Sequence, residues 1–288
     1  MTDIERALVI GATGNIGRHV VTSLRDRGIA VRTLTRSPGG LPDGIEAVHG
    51  DLRDAETLKR SLAGTDAVFL LWPFMTADGA PAVAEAIAAT TRRVVYVSAM
   101  HVRDDRPPIE NGFWGQVEDA IRRTDVEWTF LRVGGLATNT LQWAPAISAG
   151  RPVRMPYPAA SRSLIHERDV AEVAVLAMTE AGHGGAAYAL TGPASITQAE
   201  QVRIIGTVTG RPVRVERAPL AEARAELLSW ADPAYADTAL AYWASLVDTP
   251  EPCTPTVAEL TGSPARTFAQ WAAEHADDFR PPRTPERR

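Results

Sequence analysis

The sequence predicts an α/β protein: a doubly wound parallel sheet carrying a smaller, mainly helical C-terminal lobe. Three observations predict it. A strand runs into a helix through a glycine-punctuated turn, Gly11-Ala-Thr-Gly14-Asn-Ile-Gly17. Short apolar runs then alternate with helical patterns as far as Arg132, and that rhythm changes beyond Gly134-Gly135. Strands alternating with helices imply a parallel sheet with helices on both faces, and such sheets bind ligands along the C-terminal strand edge.

In order, the first strand is Ala7-Leu-Val-Ile10, with a helix from Asn15 to about Arg27. Val31–Thr35 is a β-branched strand stopped by Arg36 and the turn residues Ser37-Pro38-Gly39-Gly40. Ala47–His49 is a short strand, and 54–63 reads as a helix. Ala67–Leu71 is a buried-type strand, followed by an alanine-rich helix over 80–90, a strand at Val94–Ser98, a helix at 115–123 and a sixth strand at Glu127–Arg132. Next come a helix with Leu141 and Trp143, then the Pro-rich stretch Pro152–Pro158. Ser163-Leu-Ile165 and a helix at 169–179 resume the βα pattern, with a further strand at Ala187–Leu190. From Thr197 onward the pattern is mostly helical, with one strand near Val213–Val215 and a tail at 281–288 of disordered composition. The expected division is a cofactor-binding domain over 1–133, with 161–192 returning to it. A substrate-binding lobe spans 134–288.

Composition narrows the function classes. With 45% apolar and 23% charged residues the chain reads as an ordinary globular protein. A net charge of −5 gives nucleic acid or an anionic membrane no attraction. Cys253 is the single cysteine, and the six histidines show no ligand spacing, so neither an internal disulfide nor a metal site is expected. No apolar run approaches the ~20 residues that span a bilayer. The N-terminus enters the first strand without a signal-peptide pattern, so a cytoplasmic protein is expected, as a monomer or homodimer.

The glycine turn is the arrangement that seats a dinucleotide pyrophosphate. Gly11 lets the chain leave the strand tightly, Gly14 lets backbone approach phosphate oxygens, and Gly17 lets the helix pack close. The phosphate then lies on the helix N-terminus, alongside Thr13, Asn15 and Ile16. Cofactors of this kind with a free ribose meet an acid at the end of strand 2, which would repel a 2′-phosphate. Here 31–37 contains none, and Arg36 falls where a guanidinium takes a phosphate bidentately, with Thr35 or Ser37 as neutral donors. The pattern therefore favours NADP(H) over NAD(H); a solvated loop arginine is the competing reading. Asp51 and Leu52 fall where such folds bound the adenine, although Asp51 equally suits a turn cap. Leu71-Trp72 and Ser98-Ala99, at the ends of strands 4 and 5, are expected to flank the nicotinamide.

Gly-Ala-Thr-Gly-x-x-Gly, Arg36, Gly50-Asp51-Leu52, Trp128–Leu136 with Asn139, and His166-Glu-Arg-Asp-Val-Ala171 together resemble the NmrA-like branch of atypical short-chain dehydrogenases/reductases. The resemblance covers most of the chain. It implies a Rossmann core, a small C-terminal substrate lobe and a nicotinamide cofactor. It spans quinone reductases, aromatic-pathway reductases and regulators that bind NADP without turning it over.

One departure is informative. Short-chain dehydrogenases use Tyr-x-x-x-Lys on the helix after strand 5, where lysine lowers the tyrosine pKa. The matching stretch here is Phe113-Trp-Gly-Gln-Val-Glu118, and the only lysine, Lys59, follows Ala55 by four residues in another crossover. That mechanism is excluded by composition, which leaves a sugar-nucleotide epimerase, whose chemistry needs the tyrosine base, a distant third reading. Hydride transfer needs no side chain beyond a donor for the developing oxyanion. Ser98, His101 and Gln116 are the catalytic candidates, with Asn139 and Tyr157 as further donors. His166 reads as part of a structural network and His183 as a turn residue. Phe74, Met100, Trp114, Leu136, Asn139, Trp143 and Tyr157 are the candidates for a pocket that takes a small apolar or aromatic substrate. Two functions lead: an NADPH-dependent reductase of a quinone, enone or aromatic ketone, and a non-catalytic NADP(H)-binding redox sensor.

Overall fold

The computed structural model describes residues 4–36 and 39–281. In chain order, the first stretch holds β1 (Arg6–Ile10), α1 (Gly17–Asp26), β2 (Ala30–Thr35), β3 (Glu46–His49), α2 (Ala55–Leu62), β4 (Ala67–Leu70), α3 (Ala80–Ala88), β5 (Arg93–Ala99), α4 (Gly112–Arg122) and β6 (Glu127–Val133). The middle holds α5 (Ala144–Ser148), β7 (Val153–Met155), β8 (Ser161–Arg162), α6 (Glu167–Thr179), β9 (Ala186–Leu190) and β10 (Ile196–Thr197). The last part holds α7 (Gln198–Thr209), β11 (Val215–Arg217), α8 (Leu220–Leu228), α9 (Pro233–Asp248), α10 (Thr256–Thr261) and α11 (Phe268–Glu274).

The chain divides into two compact units. The first comprises residues up to Gly134 together with Glu167–Leu190 and Pro255–Pro264. It contains a seven-stranded parallel sheet in the order β3-β2-β1-β4-β5-β6-β9. Strands β1 and β4 are buried along nearly their whole length, which is why they read as unbroken apolar runs rather than alternating ones. Leu8, Val68, Leu70, Val94, Tyr96 and Phe130 form one buried cluster with residues of α2, α3 and α4. The strand order reverses between β1 and β4, and the crevice at such a reversal is where open α/β sheets take ligands.

The second unit comprises Gly135–His166, Thr191–Thr254 and residues from Ala265 onward. Its core gathers Trp143, Ile147, Val153 and Leu164 around α7 and α11, with Trp271 fully buried. Helix α7 is bounded as its sequence dictates: Thr197 caps the first turn by accepting from Glu200 N–H at 3.1 Å, and Gly210 ends it at φ 69°. A capping box between Thr267 and Gln270 starts α11.

Three expectations are corrected. Ser163–Ile165 is not a strand of the main sheet; Ile165 makes a single bridge to Leu136, and β8 pairs antiparallel with β10. The strand expected at Val213–Val215 lies at Val215–Arg217, where it pairs with β7. Helix α4 begins at Gly112, before the expected 115. Residues 255–264, which composition did not set apart, belong to the first unit, where α10 packs on α6 and β9. The expected disordered tail lies, apart from Pro281, outside the described residues, as does Ser37.

Candidate functional site

The turn after β1 is shaped by contacts that leave no room for side chains. Gly11 adopts φ 89°, and a Cβ there would lie 3.2 Å from Leu71 Cβ on the neighbouring strand end. Gly14 N–H donates to Gly11 C=O at 3.0 Å, closing the turn. A Cβ on Gly17 would sit 2.0 Å from that same carbonyl oxygen, so only glycine lets α1 begin this close to β1. No side chain caps α1, and its first turn carries no acid. Its N-terminal N–H groups and dipole are therefore arranged for an external anion, and the tight backbone suits a dinucleotide pyrophosphate. Ala12 and Ile16 are buried and anchor the turn, whereas Thr13 and Asn15 are exposed on it.

Arg36 directly follows β2 and is exposed. Beyond β3, Asp51 accepts from Arg53 N–H at 2.9 Å and lies 3.7 Å from its guanidinium, so its carboxylate shapes the turn. Leu52 is buried beneath it. Past β4, Trp72 donates its indole N–H to Thr76 C=O at 2.7 Å and meets Phe74 edge-on at 5.2 Å. Arg53 lies over the Phe74 ring at 3.9 Å.

The end of β5 belongs to a buried charge network that the sequence did not disclose. Ser98 donates its hydroxyl to Glu118 Oε1 at 2.6 Å. Arg132 donates Nε to the same oxygen at 3.0 Å and Nη2 to Oε2 at 2.7 Å. Asp104 takes the other side of Arg132, at 2.6 and 3.0 Å, and Arg122 at 2.8 Å. Hydrogen bonding from Arg132 in particular holds the Asp104 carboxyl well below the usual carboxylate range. This fork fixes β5, α4, β6 and the loop after β5 as one frame.

That loop carries Met100 and His101. His101 meets Trp114 edge-on at 4.9 Å, and Trp114 stacks on Phe113 at 3.8 Å. The residue is exposed overall, yet burial of its ring pulls the pKa below the ordinary histidine value, against smaller effects of the Asn111 backbone and Glu118. Gln116 donates its side-chain amide to Gly112 C=O at 3.2 Å within α4. Of the three catalytic candidates, Ser98 is thus committed to Glu118 and Gln116 to its own helix, whereas His101 is held by the Trp114 ring and a hydrogen bond with the Asn111 backbone. Lys59 lies in the last turn of α2.

In the second unit, a cavity of about 690 Å³ is lined by Asn139 and Trp143 among others. Leu136 and Tyr157 are not on its wall: Leu136 pairs with Ile165, and Tyr157 packs with Ala223, Leu227 and Leu240. His166 is buried beside Glu274, its Nε2 3.5 Å from the carboxylate. His183 Nδ1 lies 2.9 Å from the Tyr188 hydroxyl, in the turn before β9. Among the described residues no group of three His, Cys, Asp or Glu is spaced to hold a metal, and no helix is long and apolar enough to cross a membrane.

Comparison with known proteins places this geometry. A family profile described as NAD(P)H-binding matches residues 11–181. The (4-alkanoyl-5-oxo-2,5-dihydrofuran-3-yl)methyl phosphate reductase of Streptomyces griseus is 41% identical over 280 residues, covering 95% of this chain and 99% of the relative. The NAD(P)H azoreductase of Xenophilus azovorans is 32% identical over 289 residues, covering 94% and 98%. Among solved structures, the Citrobacter sp. triphenylmethane reductase complexed with NADP(H) superposes with a TM-score of 0.76 at 20% identity, over 94% of this chain and 99% of that one. The Escherichia coli quinone oxidoreductase QOR2 complexed with NADPH gives 0.76 at 22%, over 93% and 99%. The chain belongs to the NAD(P)H-binding family, in the NmrA-like branch of atypical short-chain dehydrogenases/reductases whose members here are NAD(P)H reductases.

Proposed function

We propose that this NAD(P)H-dependent reductase uses NADPH in preference to NADH and reduces a quinone, an enone or an aromatic ketone by direct hydride transfer. The observation that carries the reading is the arrangement at the end of β5. Ser98 is bound to Glu118, α4 offers neither tyrosine nor lysine, and the one lysine of the chain lies on α2. A mechanism built on a lysine-activated tyrosine has no residues here, and an already electrophilic acceptor needs only polarity and position.

The residues that would hold the cofactor are Gly11–Gly17 at the pyrophosphate, Arg36 at the 2′-phosphate, Asp51 and Leu52 at the adenine, and Leu71, Trp72, Ser98 and Ala99 toward the nicotinamide. When bound, the cofactor supplies the hydride. Gly14 and the start of α1 bind phosphate through backbone N–H groups, and Arg36 offers a planar pair of donors for a second phosphate. The Glu118–Arg132 fork holds the loop after β5 in place, and His101 on that loop donates an imidazole N–H to the acceptor oxygen. Burial lowers its pKa and so favours the neutral ring, which acts as a hydrogen-bond donor rather than as a standing cation.

The second unit selects the substrate, a small apolar or aromatic molecule met in the cytoplasm by a monomer or homodimer, with no nucleic-acid partner. Steady-state oxidation of NADPH against quinones, enones and aromatic ketones tests the reading, with turnover of at least one class expected. The missing dyad also favours a second reading, a non-catalytic NADP(H) sensor; tight NADPH binding with no turnover of any acceptor supports it instead.

A further inference from the structure

The second unit contains a cavity whose wall combines arginines with large aromatic rings. Its volume, about 690 Å³, is that of a site for a small organic molecule. Trp143, Trp230, Tyr235 and Trp243 line it, and Trp230, more than half exposed, leans edge-on against Tyr235 at 5.4 Å. Three arginines line the same wall, against a single carboxylate, Glu226.

The arginines differ in what already holds them. Arg154 is paired with Glu222 at 2.7 Å near the surface. Arg162 is largely buried and built into place. Its Nε lies 3.4 Å from Glu251, and its guanidinium lies over the Tyr242 ring at 5.7 Å. Glu251 is in turn fixed by Ser163 N–H at 2.8 Å, by the Ser163 hydroxyl at 3.2 Å and by the Tyr242 hydroxyl. On its far side, Arg162 Nη2 presses so close to Gly135 that a Cβ there would lie 2.3 Å away. Only Nε meets an acceptor; neither Nη nitrogen has one among the described residues. Arg151 has no ion-pair partner among the described residues at all.

With Glu222 and Glu251 counted, two of the three arginine charges are balanced, and Glu226 is the one carboxylate that lines the cavity with them. What distinguishes the wall is therefore donor geometry: a rigid fork at Arg162, a second guanidinium at Arg151, and flat aromatic surface lining the same cavity. A planar fork of N–H donors matches the oxygens of a phosphate, sulfonate or carboxylate, and indole faces match a conjugated ring. We propose that this cavity binds an organic oxyanion, a flat unsaturated body bearing one such group, with Arg162 and Arg151 as its anion-binding residues. Identifying that ligand with the reducible substrate rests on the reductase reading; the binding itself does not.

Calorimetric titration of the full-length protein with 1-naphthyl phosphate, naphthalene-2-sulfonate, 2-naphthol and 1-naphthylmethylammonium tests it. Both anions are expected to bind at least about tenfold more tightly than the neutral and cationic analogues, and Arg151→Gln and Arg162→Gln each to weaken the anions by about tenfold or more. If removing Arg162 prevents folding by stranding Glu251, Arg151→Gln alone decides. Equal binding of all four probes, or anion binding unchanged in Arg151→Gln, overturns the proposal. A separate arm compares NADPH oxidation by 1,2-naphthoquinone-4-sulfonate and by 1,2-naphthoquinone. A lower KM for the sulfonate, with that preference reduced in Arg151→Gln, identifies the ligand as substrate. Selective anion binding without turnover of either quinone leaves the site standing and removes the identification of its ligand with a reducible quinone.

Discussion

The carbonyl oxygen of Gly11 occupies the place that a Cβ of Gly17 would need, at a separation of 2.0 Å. The obstacle is backbone, so it cannot swing aside as a flexible side chain would. Gly17→Ala is expected to cost about 1–3 kcal/mol in stability and to push α1 away from the turn. NADPH affinity should fall with it, because the phosphate-facing N–H groups move with α1. Urea denaturation and fluorescence titration check both, and an unchanged midpoint with unchanged affinity would contradict the packing argument.

Arg36 stands at the end of β2 with no acid along the strand. Charge-assisted hydrogen bonds to a phosphate contribute roughly 1.5–3 kcal/mol, so Arg36→Glu should weaken NADPH by about tenfold to a hundredfold and leave NADH binding nearly as it was. Equal affinity of the wild type for the two cofactors would remove the basis for the preference.

Glu118 and Arg132 are both buried, and each is the other's main partner. Truncating Glu118 to alanine leaves Arg132 and the Ser98 hydroxyl facing its absence, at an expected cost of about 3–5 kcal/mol. A loss of under 1 kcal/mol in chemical denaturation would show that Asp104 alone suffices to hold the arginine.

Asp104 gives the acid limb of the stability profile. Its folded-state pKa is held well below the usual carboxylate range, first by hydrogen bonding from Arg132. The associated stability is present above the unfolded carboxylate range and is lost as pH falls from there through the lower folded value. Asp104→Asn should therefore lose less stability than the wild type between pH ~4 and pH ~2, which denaturation at stepped pH reads directly. Parallel curves for the two proteins would contradict the assignment.

His101 carries the donor role in the proposed reaction. His101→Ala is expected to lower kcat by roughly a hundredfold or more with little change in KM. Because burial lowers its pKa and so favours the neutral ring, the wild-type rate should stay level as pH rises from ~7 to ~8.5. A rate that falls steadily over that interval would mean that a charged acid is required instead.

Much of the first unit was legible because β1 and β4 are buried on both faces and Gly14 and Gly17 meet backbone. Ala7–Ile10 and Ala67–Leu70 have no alternation to misread, and Gly17 has a steric reason to be glycine. The fork of Glu118, Arg132 and Asp104 was not legible, since three charges scattered over 28 residues carry no local pattern and meet only when β5, β6 and α4 pack. Arg151 and Arg162 were missed for a similar reason: in a chain whose cations are almost all arginine, two more do not stand out until a cavity brings them to one wall. Ser163–Ile165 misled because an apolar triplet beside a helix resembles a strand, while its backbone bonds go to Gly135 and Gly192.

The central claim is that a reductase works here without a tyrosine–lysine pair. Single-turnover mixing of the NADPH-loaded protein with 1,2-naphthoquinone and with a panel of enones and aromatic ketones tests it most directly, followed by loss of the reduced-nicotinamide absorbance. Stoichiometric consumption of bound NADPH by at least one acceptor is expected, at the same rate in wild type and Lys59→Gln. Bound NADPH that persists unchanged with every acceptor, or a Lys59→Gln variant that no longer consumes it, would mean that no reductase works here without a tyrosine–lysine pair.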